Sequence, residues 1–110
     1  MAFEMEYTLK GFTYPESYWK AVQRKFDDVT KTGQVVFNGY ATAAARHQNV
    51  LANVIDQKAY DVTPAQYDEY FADAITIGAV YEMAAATLEG AAPAEGEDTR
   101  VSFFDGAVEV

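Results

Sequence analysis

Cysteine is absent from this sequence, which removes disulfides, thiolate nucleophiles and zinc–thiolate sites together and leaves the redox compartment open. No Gly-x-x-x-x-Gly-Lys and no Gly-x-Gly-x-x-Gly occurs, so the usual phosphate-cradling loops have no counterpart. The only imidazole is His47. With no cysteine and no Gly-x-Ser-x-Gly elbow, a histidine-centred triad lacks its other members, and His47 reads as an ordinary loop residue. No apolar run approaches the roughly 20 residues that span a bilayer. The start, Met1-Ala2-Phe3-Glu4-Met5-Glu6, lacks the basic and apolar regions of a secretion signal. Positive charge is also scarce: 8 Lys and Arg stand against 17 Asp and Glu, a net charge of −9. That balance argues against nucleic-acid backbones and anionic membrane surfaces as partners. The expectation is a protein that is not an enzyme and holds no cofactor or metal.

What is present is apolar and aromatic material, 50% and 15% of 110 residues. A chain of this length is one globular domain. It buries about 65% of its unfolded surface without metal or disulfide support. Its charge is unevenly placed. Residues 1–62 hold seven acids and seven bases, whereas residues 63–110 hold ten acids and the single base Arg100, so the whole −9 lies in the second part.

Phe3, Met5, Tyr7 and Leu9 alternate with polar residues, the period of a half-buried strand. Gly11 and Pro15 bracket a turn. Residues 18–26 read as a second strand, with Tyr18, Val22 and Phe26 on one face and Trp19 and Ala21 on the other. Asp27 to Gly33 is a hairpin loop by composition. Gln34 to Thr42 is a third strand, in which Gly39 signals a bulge or a close backbone approach. Ala43 to Asn49 fits either a helix, on its alanines, or a continuing strand. Val50–Ile55 and Lys58–Val62 read as one or two further strands.

Thr63-Pro64-Ala65-Gln66 is the clearest local signal. Thr63 suits the N-cap, Pro64 the first helical position and Gln66 the third, which completes a capping box. Asp68 and Glu69 follow where the helix dipole favours carboxylates. Tyr67, Phe71, Ala74, Gly78, Tyr81, Ala85 and Leu88 then form one helical stripe, with a weak point at Ile75-Thr76-Ile77-Gly78 and a natural stop at Gly90. Residues 90–100 have the composition of an acidic linker. Residues 101–110 are too apolar for a loose terminus: they either return to the chain's own sheet or add a strand to a neighbour.

Adjacent acids at Asp27/Asp28, Asp68/Glu69 and Glu97/Asp98 fall in a turn, a first helical turn and a linker, where carboxylates are solvated for ordinary reasons. Paired-carboxylate hydrolysis needs two such groups flanking a pocket. Calcium, which takes oxygen ligands, lacks an Asp-x-Asp-x-Asp-Gly loop. Tyrosine and tryptophan anchor interfaces. Tyr14, Tyr18 and Trp19 near the Pro15 turn, and Tyr67 and Tyr70 at the helix opening, are therefore candidate partner-binding residues. Val101, Phe103, Phe104 and Val108 in the tail join them.

Several segments together resemble small structural proteins encoded in tailed-phage and prophage morphogenesis clusters, the accessory components of head, neck, tail or baseplate. They are Gly11-Phe12-Thr13-Tyr14-Pro15 leading into Tyr18-Trp19-Lys20-Ala21-Val22, the Phe26-Asp27-Asp28…Thr32-Gly33 hairpin, and Gly39-Tyr40-Ala41-Thr42 with Ala44-Ala45-Arg46. Tyr60…Thr63-Pro64…Tyr67…Tyr70-Phe71 and Val80-Tyr81-Glu82 complete the set, over roughly residues 7–85. The resemblance implies a non-catalytic virion or tail-assembly role in a symmetric oligomer, located in the virion or in the producing bacterium's cytoplasm before assembly.

The expected fold is α+β: an antiparallel sheet of four to five strands from residues 3–62, covered by one C-terminal helix at 64–89 that has a possible break, in a domain spanning 1–89. A linker at 90–100 and an extended tail at 101–110 complete the chain. The expected function is structural, through contacts with its own copies or other assembly components. An alternative is an acidic nucleic-acid mimic presenting Asp68, Glu69, Asp73, Glu82 and Glu89 on one helix face, and a third reading is a small hydrolase or ligand-binding enzyme.

Overall fold

The alternating segment forms strand β1 (Phe3–Leu9) and turns tightly into β2 (Phe12–Asp27) through Lys10 and Gly11 alone. Both turn residues have positive φ, 50° and 84°, the backbone whose twist matches a two-residue hairpin. A computed structural model describes residues 1–48 and 53–110. The part of the expected fourth strand at 50–52 lies outside those residues. After β2 come β3 (Thr32–Tyr40), helix α1 (Ala43–Gln48) and β4 (Val54–Val62). Helix α2 (Pro64–Gln66) runs on as a π turn (Tyr67–Phe71), and α3 (Ile77–Ala86) and β5 (Val108–Glu109) complete the chain. The sheet has five antiparallel strands in the order β4-β3-β2-β1-β5. Its fifth strand therefore comes from the tail rather than from residues 3–62.

Strand β2 is longer than its composition suggests, and it absorbs two bulges. Opposite β1, Met5 pairs with Ser17 and Tyr7 with Tyr14, so one extra β2 residue is inserted there. Pro15 sits in this bulge, inside the strand rather than at a turn, where its missing N–H leaves no ladder bond unmade. Opposite β3, Ala21 pairs with Phe37 and Gln23 with Val36, which leaves Val22 as a second extra residue. Each extra residue reverses which face the following side chains take. Phe26 consequently joins Trp19 and Ala21 in the core, instead of sharing a face with Tyr18 and Val22.

The single helix at 64–89 is replaced by short pieces. The capping box forms as expected: Thr63 Oγ1 accepts from Gln66 N at 3.2 Å and Gln66 Oε1 accepts from Thr63 N at 3.1 Å. The helix ends after Phe71, because Thr76 takes an extended backbone (φ −108°, ψ 155°) and its hydroxyl caps α3 by accepting from Ala79 N at 3.2 Å. β-Branched Ile75, Thr76 and Ile77 favour this local break. The break shifts the apolar stripe. Phe71 and Tyr81 are buried as expected, but Ala74, Ala85 and Leu88 are exposed, and Val80, Met83 and Ala84 take their place. Helix α3 ends at Ala86, short of Gly90.

The tail is not an extended arm. Leu88 bridges to Ser102, and Glu89 N donates to Val101 O at 2.9 Å. Phe104 is 3% exposed and lies against Phe3, Phe37 and Trp19 with ring centroids 4.5, 5.1 and 5.8 Å away. Ala2 and Val110 exchange two backbone hydrogen bonds of 2.8 and 2.9 Å, which zip β5 onto β1. One face of the sheet thus buries Phe3, Trp19, Val35, Phe37, Tyr60 and Val62 beneath α3, the π turn and Phe104.

Candidate functional site

The residues singled out in the sequence do not converge. Trp19 is fully buried and Phe104 nearly so, so neither offers a contact surface. Phe103 is half-buried, with its ring 5.0 Å from Trp19 and 5.7 Å from Tyr7. Tyr18 is half-buried near His47 at 6.5 Å, and Tyr14 is half-buried in the β1–β2 hairpin. Tyr67 packs on Phe26 and Phe71, its hydroxyl donating to Asp28 at 2.6 Å, and Tyr70 lies beside Phe71. Only Val101 and Val108 remain well exposed, at 53% and 63%.

A polar cluster that the sequence did not signal lies on the core side of β4. The Tyr7 hydroxyl donates to the Asp56 carboxylate, tying the first strand to the fourth. Burial, then the hydrogen bond to Asp56, push the Tyr7 phenol up to about 12. It is therefore protonated at neutral pH and acts as a donor, not a base. Lys58 Nζ lies 2.8 Å from Glu89, 5.2 Å from the Phe103 ring centroid and 5.5 Å from that of Tyr60. The Tyr60 hydroxyl is buried with no hydrogen-bond partner among the described residues, and burial raises its pKa. These are ties between elements: the acids are matched to a phenol or an ammonium.

The acids proposed for one helix face are also dispersed. Asp68 and Glu69 lie in the π turn, Asp73 in the break, Glu82 on α3 and Glu89 beyond it. Asp68 sits 3.3 Å from Lys31, and Glu89 is taken by Lys58. Among the described residues, no three His, Cys, Asp or Glu side chains gather as a metal site, and no helix is long and apolar enough to cross a membrane.

What the sheet does present is edges. Strand β1 pairs with β2 only as far as Trp19. The next free amide, Ala21 N, donates to the Tyr81 hydroxyl at 2.9 Å, and that hydroxyl donates to Met1 O at 2.9 Å. Beyond it, Gln23–Asp27 pairs with β3 on one side and with no strand among the described residues on the other. Val22 just before this stretch and Gln23, Arg24 and Lys25 along it are all exposed. Among the described residues β5 pairs only with β1 and β4 only with β3, so both ends of the sheet are open, and the outer edge of β5 faces the same side as the open stretch of β2. Large apolar side chains stand in solvent at the hairpin tips, Phe12 at 72% and Val29 at 92% exposure. No protein-family model, no curated protein and no solved structure matches this chain.

Proposed function

We propose that the chain is a non-enzymatic structural or assembly protein that works through protein–protein contacts, of the kind that builds a phage virion or tail. The observation that carries this reading is the set of open strand edges, on β2, β4 and β5, in a protein that also exposes Phe12, Val22, Val29, Val101, Val108 and Val110. An unpaired strand edge is a template for another strand. Exposed apolar side chains beside it supply the area that a contact buries. The acidic mimic reading loses its geometric premise, because its five acids share no helix face. Working in the virion, or in the producing cell before assembly, follows from this reading and shares its test.

The test is native mass spectrometry on the purified protein, alone and co-expressed with the proteins encoded beside it. Defined oligomers or stoichiometric complexes are expected. A strict monomer in every combination would refute the assembly role.

A further inference from the structure

The open edges of β2 and β5 differ in charge. The open β2 stretch carries Arg24 and Lys25 against Asp27, in a chain whose net charge is −9. The β5 edge is acidic. Glu109 lies on it, and Glu4 and Glu6 lie on the neighbouring β1. Between β5 and α3 runs a cleft of about 540 Å³ whose wall includes Phe3, Gly78, Tyr81, Glu82, Ala85 and Glu109. Among the described residues, Arg24, Lys25, Glu82 and Glu109 form no ion pair within the chain.

Resting on the assembly reading, we propose that the basic β2 edge of one copy pairs with the acidic β5 edge of a second copy. Lysine and arginine on an edge also discourage pairing, but here the same chain supplies an acidic counterpart of matching kind. Both edges are already extended, so little ordering opposes the contact. The open β2 stretch, Gln23–Asp27, is longer than the β5 ladder, which runs from Val108 to Val110, so β5 seats within it. Exposed Val22 on one side meets exposed Val108 and Val110 on the other. Arg24 shares the core face of β2, because it pairs with Val35. Glu109 shares the core face of β5, because it pairs with Phe3. Joined edge to edge, these two side chains meet at the mouth of the cleft, with Glu82 behind them. Both open edges face the same side of the sheet, so the two-fold axis that sets one β2–β5 contact in place sets a second between the same two copies, and the contact closes as a dimer.

The test is a charge swap read by sedimentation velocity near physiological ionic strength, where screening over about 8 Å leaves only contacting charges effective. Arg24→Glu with Lys25→Glu makes both edges acidic, and Glu82→Lys with Glu109→Lys makes both basic. All four positions are exposed, and thermal melts confirm that each variant folds. Each variant alone is expected to self-associate roughly tenfold more weakly than the wild type, since like charges now face each other. An equimolar mixture of the two is expected to regain association, because each acidic edge then finds a basic one. A monomeric wild type, association that survives both reversals, or a mixture no stronger than its components would each overturn the proposal. Monomeric wild type together with capture of a co-encoded protein would overturn this self-contact and leave the assembly reading standing.

Discussion

The Trp19 ring lies flat against the backbone of Gly39, so close that a Cβ added at Gly39 would sit 2.7 Å from two atoms of the indole. The two residues are cross-strand partners of β2 and β3. The missing side chain is what lets the indole lie down on the sheet, where Tyr7, Phe103 and Phe104 pack around it. Indole Nε1 donates to Ser17 Oγ at 3.0 Å, so the ring is held from both sides. Gly39→Ala is expected to force the ring off this seat and cost about 1–3 kcal/mol, as overpacking does. Chemical denaturation with tryptophan fluorescence measures it. An unchanged midpoint would show that the ring has room to move.

Phe104 tests whether the tail belongs to the core. Its ring touches Phe3, Trp19, Phe37, Tyr60 and Phe103. Phe104→Ala is expected to lose about 3–5 kcal/mol, a large share of the roughly 5–15 kcal/mol that holds a domain together. A thermal melt close to that of the wild type would mean that the tail is dispensable.

Tyr81 makes a smaller, sharper case. Its hydroxyl accepts from Ala21 N and donates to Met1 O, closing the point where β1 stops and the β2 edge opens. Tyr81→Phe keeps the packing and leaves Ala21 N unmatched, while Met1 O keeps the Lys20 ammonium as a donor, and the loss costs about 1–3 kcal/mol. Amide exchange at Ala21 is expected to accelerate in the variant, and equal protection would remove this role.

Alkaline stability follows from the phenols. Tyr7, Tyr60 and Tyr81 are raised mainly by burial, and Tyr67 mainly by its bond to Asp28. A raised folded pKa means that the folded state holds the proton more tightly than the unfolded chain. This contribution is complete below the ordinary tyrosine value near 10 and is lost as pH climbs through the folded values. Stability is therefore expected to fall above about pH 10, with Tyr7 titrating at about 12. Spectrophotometric phenol titration alongside melts checks this. A stability flat through that range would contradict it.

The parts of the fold that were legible in the sequence are those written in neighbouring residues. The Thr63–Gln66 capping box is a local exchange of side-chain and backbone hydrogen bonds. The alternation of β1 needs only the pleat, and the break near Thr76 needs only its own β-branched residues and cap. What was not legible depends on distant partners. Val22 is an ordinary strand residue until β3 sets a register that skips it, and that skip alone moves Phe26 to the core. The place of Phe104 depends on space left among Phe3, Phe37 and Trp19, which no local pattern encodes. The candidate contact residues were chosen as aromatics, and the core claimed most of them. The open edges went unseen because an edge is defined by which strand stops where.

Hydrogen exchange across a range of protein concentrations tests the contact between the β2 and β5 edges most directly. The outward-facing amides of residues 23–26 and the Glu109 amide are expected to exchange freely in dilute solution. They are expected to gain protection together as concentration rises, while the core amides of β3 stay unchanged. Exchange at both edges that is independent of concentration, or protection that grows at one edge without the other, would contradict the account.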